Sequence, residues 1–287
     1  MNNYVILTDS SADLSPELTD SLGVSVLSLE VILDNGAPIK NSDIDVKDFY
    51  QKLREKVHVT TSAASIDRFI DFMDPFLAEG KDVLYLGFSS GLSGTYNAGF
   101  VASQELVERY PDRKIYAVDT LCASLGQGLL VYLCAKMQQE GKTIEEVRDW
   151  AEENKLHLCH WFTVDDLFFL KRGGRVSAAT AVMGSMLSIK PVMHVDTKGK
   201  LINMMKARVR KGAIDALSEK TKATVMLPEN QTAFICHGDC LADAEYLAER
   251  LKRELGFPEV IIGYTGPVIG AHSGPGTLAV FYLGTER

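Results

Sequence analysis

Residues 83–95, VLYLGFSSGLSGT, are the most informative part of the sequence for the fold class. Its first part, residues 83–88, is an apolar run of the length expected for a buried strand. The run ends in a Ser-Ser-Gly loop, and a helix is predicted to begin near Gly94. A buried strand that passes through a polar loop into a helix is the repeating unit of a parallel sheet, so the stretch predicts an α/β protein.

The same unit repeats on both sides of this stretch. Strands are predicted at residues 4–7, 24–33, 83–88 and 115–118, and helices at residues 46–56, 65–77, 94–110, 123–139 and 143–153. Thr143 and Glu146 have the spacing of a capping box at the start of the last helix. We therefore expect residues 1–155 to form an N-terminal domain with a mainly parallel sheet and helices on both faces.

The second half of the chain follows a different pattern. Two short apolar runs, residues 191–195 and 201–206, flank the turn sequence Asp-Thr-Lys-Gly and predict a hairpin. Further strands are predicted at residues 233–236 and 260–264, and helices at residues 177–187, 209–221 and 241–255. Hairpin and crossover connections together predict a C-terminal α/β domain, residues 156–287, with a mixed sheet.

Composition excludes several classes of protein. The 287 residues include 30 Lys and Arg against 38 Asp and Glu, a net charge of −8. A general nucleic-acid binder would need a basic face, so nucleic acid is not an expected partner. No apolar run approaches the roughly 18 residues of a membrane-spanning helix. The N-terminal segment MNNYVILTDS lacks the basic region of a signal peptide, so we expect a cytoplasmic protein.

Hydroxyl and glycine residues collect where the predicted strands end. The loops that carry them are residues 8–11, 60–62, 89–95 and 266–276, the last with His272. Strand ends and helix N-termini meet at one edge of a parallel sheet, which favours an anion there. The sequence contains neither a P-loop nor a dinucleotide fingerprint, so no nucleotide cofactor is expected. Neutral donors suit a carboxylate, although each loop by itself is also explained by helix capping.

The five cysteines offer little support for a metal site. They include no Cys-x-x-Cys pair, and the closest two, Cys236 and Cys240, are four positions apart near His237 and Asp239. Zinc sites usually combine two ligand clusters at recognised spacings. We expect reduced, mostly buried thiols and no metal.

Residues 171–211 form a basic segment in an acidic chain. The segment holds ten Lys and Arg residues against one acidic residue, Asp196, and it contains no Phe, Tyr or Trp. It is therefore a candidate docking face for an acidic protein or a phosphate, and a solvated basic surface is the alternative.

The basic segment also holds five of the nine methionines, at 183, 186, 193, 204 and 205. Methionine adapts its shape to flexible apolar ligands, although core packing explains any single one. An acyl chain whose carboxylate is held by the hydroxyl loops would be such a ligand. The residues predicted to line it are Met183, Met186, Leu187, Met193 and Met204.

A serine hydrolase is the rival interpretation. Residues 87–91, GFSSG, match the Gly-x-Ser-x-Gly nucleophile elbow with Ser89 as nucleophile. Asp239 and His272 follow in the chain order of an α/β-hydrolase. In an elbow, however, the helix begins directly after the serine, whereas here Gly91 and Gly94 lengthen the loop.

The motifs TDS at residues 8–10, TS at 61–62, SSGLSGTY at 89–96, RGGR at 172–175 and IGAHSGPG at 269–276 resemble those of the DegV family. The resemblance covers nearly the whole chain and departs from the family pattern at Ala63 and Ala64. It implies a two-domain α/β protein that holds one fatty acid between its domains. It further implies a bacterial carrier subunit of fatty acid kinase, not itself an enzyme. A separate kinase subunit would phosphorylate the bound carboxylate for phospholipid synthesis, and transient membrane contact would serve lipid exchange.

The resemblance also implies roles for individual residues. The fatty-acid carboxylate would be bound by Thr61, Ser62, Ser93, Gly94 and His272. The kinase or its phosphate would be bound by Arg172, Arg175 and Arg208.

Overall fold

A computed structural model describes residues 3–177 and 189–287 of the chain. Within these residues the strands are β1 (Tyr4–Asp9), β2 (Ser25–Leu27), β3 (Glu30–Leu33), β4 (Ile39–Lys40), β5 (Val59–Ser62), β6 (Asp82–Gly87), β7 (Ile115–Asp119), β8 (Leu158–Thr163), β9 (Ile189–Val195), β10 (Leu201–Arg208), β11 (Thr232–His237), β12 (Glu259–Tyr264) and β13 (Leu278–Leu283). The α-helices are α1 (Pro16–Leu22), α2 (Val46–Arg54), α3 (Ile66–Ala78), α4 (Thr95–Arg109), α5 (Leu125–Gln139), α6 (Ile144–Asn154), α7 (Leu167–Arg172), α8 (Val209–Thr224), α9 (Leu241–Arg250) and α10 (Pro267–Ser273).

The first sheet is parallel throughout, in the order β2-β1-β6-β7. Helices α3 and α4 pack against one face, and α5 and α6 contact its strands from the other. The capping box at the start of α6 is present, because the Thr143 side chain accepts from the Glu146 backbone and the Glu146 side chain accepts from the Thr143 backbone. The predicted parallel sheet with helices on both faces is confirmed.

A small antiparallel sheet, β4-β3-β5, was not predicted. The apolar run at residues 24–33 is two strands rather than one, with β2 in the parallel sheet and β3 in this second sheet. Ser28 and Leu29 separate the two strands, and the Leu29 backbone N–H donates to the Ser10 hydroxyl at 2.9 Å. This sheet matters for function because β5 carries Thr61 and Ser62.

The third sheet is mixed and runs in the order β10-β9-β8-β13-β11-β12. The predicted hairpin is present as the antiparallel pair β9 and β10, and β11 pairs with β12 in parallel. Strands of the first two sheets end at Asp119 and those of the mixed sheet begin at Leu158. The predicted domain boundary at residue 155 falls between them.

Helix α5 joins the two halves of the molecule. It contacts β1 and β6 of the parallel sheet and β8, β11 and β13 of the mixed sheet. The largest buried cluster accordingly includes Leu84 and Leu86 from the first half together with Phe234 and Phe281 from the second. Helices α8 and α9 cover the opposite face of the mixed sheet.

Four elements of the C-terminal half were not predicted: β8, α7, α10 and β13. The segment predicted as a glycine-rich loop contains α10, which begins with Pro267 at a position where proline favours a helix. Strand β13 lies in the middle of the mixed sheet. The predicted helix at residues 177–187 lies almost entirely outside the described residues.

Candidate functional site

A cavity of about 370 Å³ lies between the two halves of the molecule. Its walls come from the loops that follow β6 and β7, from β5, from α10 and from one face of the mixed sheet. The apolar part of the wall includes Leu29, Phe88, Leu92, Phe162, Leu170, Val195, Leu201, Val268, Ile269, Ala279 and Phe281. A cavity of this size with a mostly apolar lining and a few polar groups is typical of a small-molecule site.

Thr61 and His272 form the polar pair of this cavity. Thr61 Oγ1 lies 2.7 Å from His272 Nε2. Thr61 is on β5 and His272 is on α10, 211 positions later in the chain, so only the tertiary fold brings them together. Both side chains line the cavity.

Ser93 and Gly94 place the start of α4 at the same cavity. The Ser93 hydroxyl lies 2.9 Å from Thr95 Oγ1 and accepts a hydrogen bond from the Thr95 backbone N–H. Gly94 occupies the N-cap position and supplies no side-chain cap. The first N–H groups of a helix lack intrahelical partners and carry partial positive charge, so this end of the wall suits an anion.

Ser62 also lines the cavity, but its proton is already used. Its hydroxyl donates to Glu30 Oε2 at 3.3 Å, and Glu30 forms an ion pair with Arg68 at 3.1 Å. Ser62 therefore borders the predicted carboxylate site as a neighbour of Thr61, with its own hydrogen directed to a protein carboxylate.

His272 is neutral in this environment. Burial first, and then the positive charges of Arg175 and Arg172, lower its pKa to about 4. Gly173 packs directly against Nδ1 of the ring, because a Cβ at this position would overlap that atom. The ring is thus held between the end of α7 and the Thr61 hydroxyl.

We predict that His272 makes the delipidated protein less stable in acid. The unfolded chain takes up a proton near the usual histidine pKa of about 6.5, whereas folded His272 resists protonation until about pH 4. The unfolded state therefore binds more protons between these values, and stability falls as pH falls through that window. His272→Gln should reduce the loss of unfolding free energy between neutral pH and about pH 5 by about 2 kcal/mol.

Chemical denaturation at the two pH values measures this difference. His160, His194 and His237, whose pKa values are also lowered by burial, are present in both proteins and cancel in the comparison. Equal acid sensitivity of wild type and His272→Gln would contradict the prediction.

The three predicted docking arginines lie in different positions. Arg175 lines the cavity, is partly buried and donates to the Gly173 carbonyl. Arg172 is exposed, with its guanidinium 4.9 Å from the centre of the Phe169 ring. Arg208 is exposed at the end of β10, directly before α8.

Within residues 3–177 and 189–287, Arg172 and Arg208 form no ion pair, whereas Lys190 and Arg210 of the basic segment both pair with Asp165.

The predicted acyl-chain lining needs correction. Met183, Met186 and Leu187 lie outside the described residues. Met193 is fully buried in the core and does not line the cavity, and Met204 is 48% exposed. Strand β10 is at the sheet edge, and its register with β9 shifts between Asn203 and Met205, so Met204 and Met205 both face solvent.

The hydrolase triad is not assembled. Ser89 is fully buried, and its hydroxyl donates to the Gly199 carbonyl at 2.8 Å rather than to His272. Asp239 pairs with Arg54, and His272 contacts Thr61. The Ser89 hydroxyl instead ties the loop after β6 to the hairpin turn, and it also accepts from the Gly91 N–H at 3.2 Å.

Several lining residues were not singled out from sequence. Phe162, Ala279 and Phe281 lie on strands of the mixed sheet that are buried almost throughout. Because such strands are apolar on both faces, alternation does not reveal which residues face the cavity. Ser124 and Thr265 follow strands β7 and β12. Their position after a strand is the sequence feature that could have indicated a place at the cavity.

Neither a metal-ligand cluster nor a membrane-spanning helix is found in the part of the chain that the structure describes. No three His, Cys, Asp or Glu side chains come close enough to hold a metal ion there. In the same residues, no helix combines the length and the apolar character needed to cross a bilayer.

Fold and cavity together define a two-part α/β protein with a site suited to an amphiphilic small molecule. A family model described as DegV, an uncharacterised protein family, matches residues 3–285. A DegV domain-containing protein of Clostridium perfringens is 47% identical over 289 residues, which cover 100% of this chain and 99% of that protein. The chain therefore belongs to the DegV family.

Solved structures show the same fold. A DegV family protein from Thermus thermophilus, described for its fatty acid binding, matches with a TM-score of 0.87 and 31% identity over 98% of this chain and 99% of that one. DegV of Bacillus subtilis, described as a fatty acid binding protein, matches with a TM-score of 0.83 and 28% identity over 99% of this chain and 100% of that one.

Proposed function

We propose that this chain binds one long-chain fatty acid between an N-terminal domain, residues 1–155, and a C-terminal domain, residues 156–287. The acyl chain would lie against the apolar wall, and Thr61, Ser93 and His272 would hold the carboxylate. The observation that carries the proposal is the Thr61–His272 contact of 2.7 Å at a cavity lined mainly by apolar side chains. The related proteins described as fatty acid binders support the same ligand class.

The hydrogen-bond arrangement suits a carboxylate. If neutral His272 carries its proton on Nε2, it donates to Thr61 Oγ1, and the single Thr61 proton is then free for the ligand. Ser93 and the N-terminus of α4 at Gly94 add donors and partial positive charge. A carboxylate held by such donors retains favourable hydrogen bonds after leaving water.

The acyl chain would supply most of the affinity. Burial of about 15 methylenes contributes roughly 12 kcal/mol before the entropy of ordering and association is subtracted. The apolar wall, with Phe88, Phe162 and Phe281 among its members, provides the surface for this burial.

We further propose that the bound carboxylate is presented to a separate kinase subunit. One carboxylate oxygen would bond to the terminal phosphorus of ATP as ADP leaves, giving an acyl phosphate. Arg175 at the cavity and the exposed Arg172 and Arg208 would bind the partner or the phosphate. Transient contact with a membrane would allow the lipid to be exchanged.

Solvent extraction of the purified protein tests the binding function. The folded protein should release about one fatty acid per chain, identified by mass spectrometry. Labelling of Ser89 by a fluorophosphonate, without bound lipid, would instead indicate a serine hydrolase and overturn the proposal. The burial of Ser89 predicts that no labelling occurs.

Arg208→Ala should separate docking from lipid binding. Arg208 is exposed and does not line the cavity, so lipid loading should stay unchanged while phosphorylation by the kinase subunit falls by about tenfold. Lys222→Ala is a matched control, because it removes an exposed positive charge about 20 Å further along α8. Reduced loading by Arg208→Ala, or an equal loss with Lys222→Ala, would contradict the docking role.

A further inference from the structure

The cavity has a second group of polar residues, on elements that do not contribute to the Thr61–His272 pair. Ser124 follows β7, Cys236 is on β11 and Thr265 follows β12, and all three line the cavity. Asp13 lies behind Ser124, with its Oδ2 atom 2.5 Å from the Ser124 hydroxyl. We call Ser124, Cys236 and Thr265 the inner polar group.

Thr265 is held in place by its backbone, while its hydroxyl interacts with a thiol. Its N–H donates to the His237 carbonyl at 2.9 Å, and its carbonyl accepts from the Tyr50 hydroxyl at 2.7 Å. The residue has no exposed surface. Its Oγ1 makes no hydrogen bond to an oxygen or nitrogen atom among residues 3–177 and 189–287, and it interacts with the Cys236 thiol, which is a weak hydrogen-bonding group. A buried hydroxyl whose neighbour is a thiol lacks a strong hydrogen bond, so a ligand oxygen that reached Thr265 would supply one.

The neighbours of Thr265 are polar and neutral. The Ser124 hydroxyl lies 3.2 Å from Cys236 Sγ. Burial raises the pKa of the Cys236 thiol to about 12, so it stays protonated. A second carboxylate would find no cation in the inner polar group and would lie near Asp13, whereas an alcohol can both donate and accept there.

We propose that the inner polar group is a subsite for a hydroxyl on the acyl chain, so that the cavity accepts hydroxylated long-chain fatty acids as well as plain ones. This proposal rests on the proposed fatty-acid site. Thr265 would be its specificity-determining residue, because its hydroxyl is the member of the group that makes no hydrogen bond to an oxygen or nitrogen atom of the described residues. The other end of the ligand would remain at Thr61 and His272.

Competition between two acids of equal length tests the subsite. Delipidated protein is equilibrated with equal amounts of stearic acid and a mid-chain hydroxystearic acid, and the retained acids are quantified by mass spectrometry. Wild type should retain the hydroxy acid at least as well as stearate. Thr265→Val, which keeps the side-chain shape, should shift the ratio toward stearate by about tenfold.

Thr163→Val is the matched control. Thr163 is also fully buried with an unpaired hydroxyl among the described residues, but it does not line the cavity. Its substitution should leave the ratio unchanged, and thermal melting should show both variants folded. An unchanged ratio in Thr265→Val, an equal shift in Thr163→Val, or exclusion of the hydroxy acid by wild type would overturn the subsite. Retention of neither acid by wild type would instead overturn the proposed fatty-acid binding itself.

Discussion

Thr61→Val should weaken fatty-acid binding by about tenfold to a hundredfold. A hydrogen bond to a charged group contributes about 1.5–3 kcal/mol, and valine cannot make one to the carboxylate. The substitution also removes the 2.7 Å partner of His272, so two members of the proposed head-group site are disturbed at once. Valine fits a strand well, so the fold of β5 should be retained.

The neighbouring residue provides the control for this prediction. Thr60 is on the same strand with its side chain exposed, and Thr60→Val makes the same chemical change outside the cavity. Dissociation constants for one long-chain fatty acid, measured on delipidated proteins, should differ from wild type only for Thr61→Val. Equal affinities of wild type, Thr61→Val and Thr60→Val would show that Thr61 does not bind the carboxylate.

The position of the cavity follows only in part from rules that a single sequence contains, since residues 8–11 do not line it. Parallel strands end at one edge of a sheet, so the polar loops at residues 8–11, 60–62, 89–95 and 266–276 were expected together there. Thr61, Ser93, Gly94 and His272 do line one cavity. Their meeting depends on the long-range placement of β5 and α10, which no local pattern encodes.

Other parts could not be predicted because local signals were ambiguous or overridden. The glycines and prolines at residues 266–276 indicate a loop, yet seven of these residues form α10. The apolar run at residues 24–33 gives no sign that its two halves join different sheets. Alternation along β10 fails at the shift between Asn203 and Met205, which leaves Met204 exposed.

The hydrolase pattern failed for a physical reason as well. A nucleophile must be accessible and next to its base. Ser89 is fully buried, and its hydroxyl donates a hydrogen bond to the Gly199 carbonyl. Gly199 has a φ of +70°, and a Cβ there would overlap Ser89 Oγ, so the glycine allows this close contact. The GFSSG motif therefore positions the loop before Ser93.

Gly173→Ala should weaken fatty-acid binding by about tenfold through His272. Gly173 has a φ of −72°, which alanine adopts without strain, so the backbone at the end of α7 should tolerate the change. The new Cβ would overlap His272 Nδ1, however, and the ring must move. Because the opposite edge of the ring contacts Thr61, the movement disturbs the pair that orients the Thr61 proton.

A double-mutant cycle shows whether the effect passes through this pair. If Gly173→Ala acts by displacing His272 from Thr61, it should add little to the loss already caused by Thr61→Val, since the two changes remove the same interaction. Gly212→Ala is the control, because a Cβ there meets its nearest neighbour, Ala207 Cβ, at 4.0 Å and affinity should not change. Additive losses in the double variant would show that Gly173 acts independently of the Thr61–His272 contact, and the head-group arrangement proposed for His272 would then be wrong.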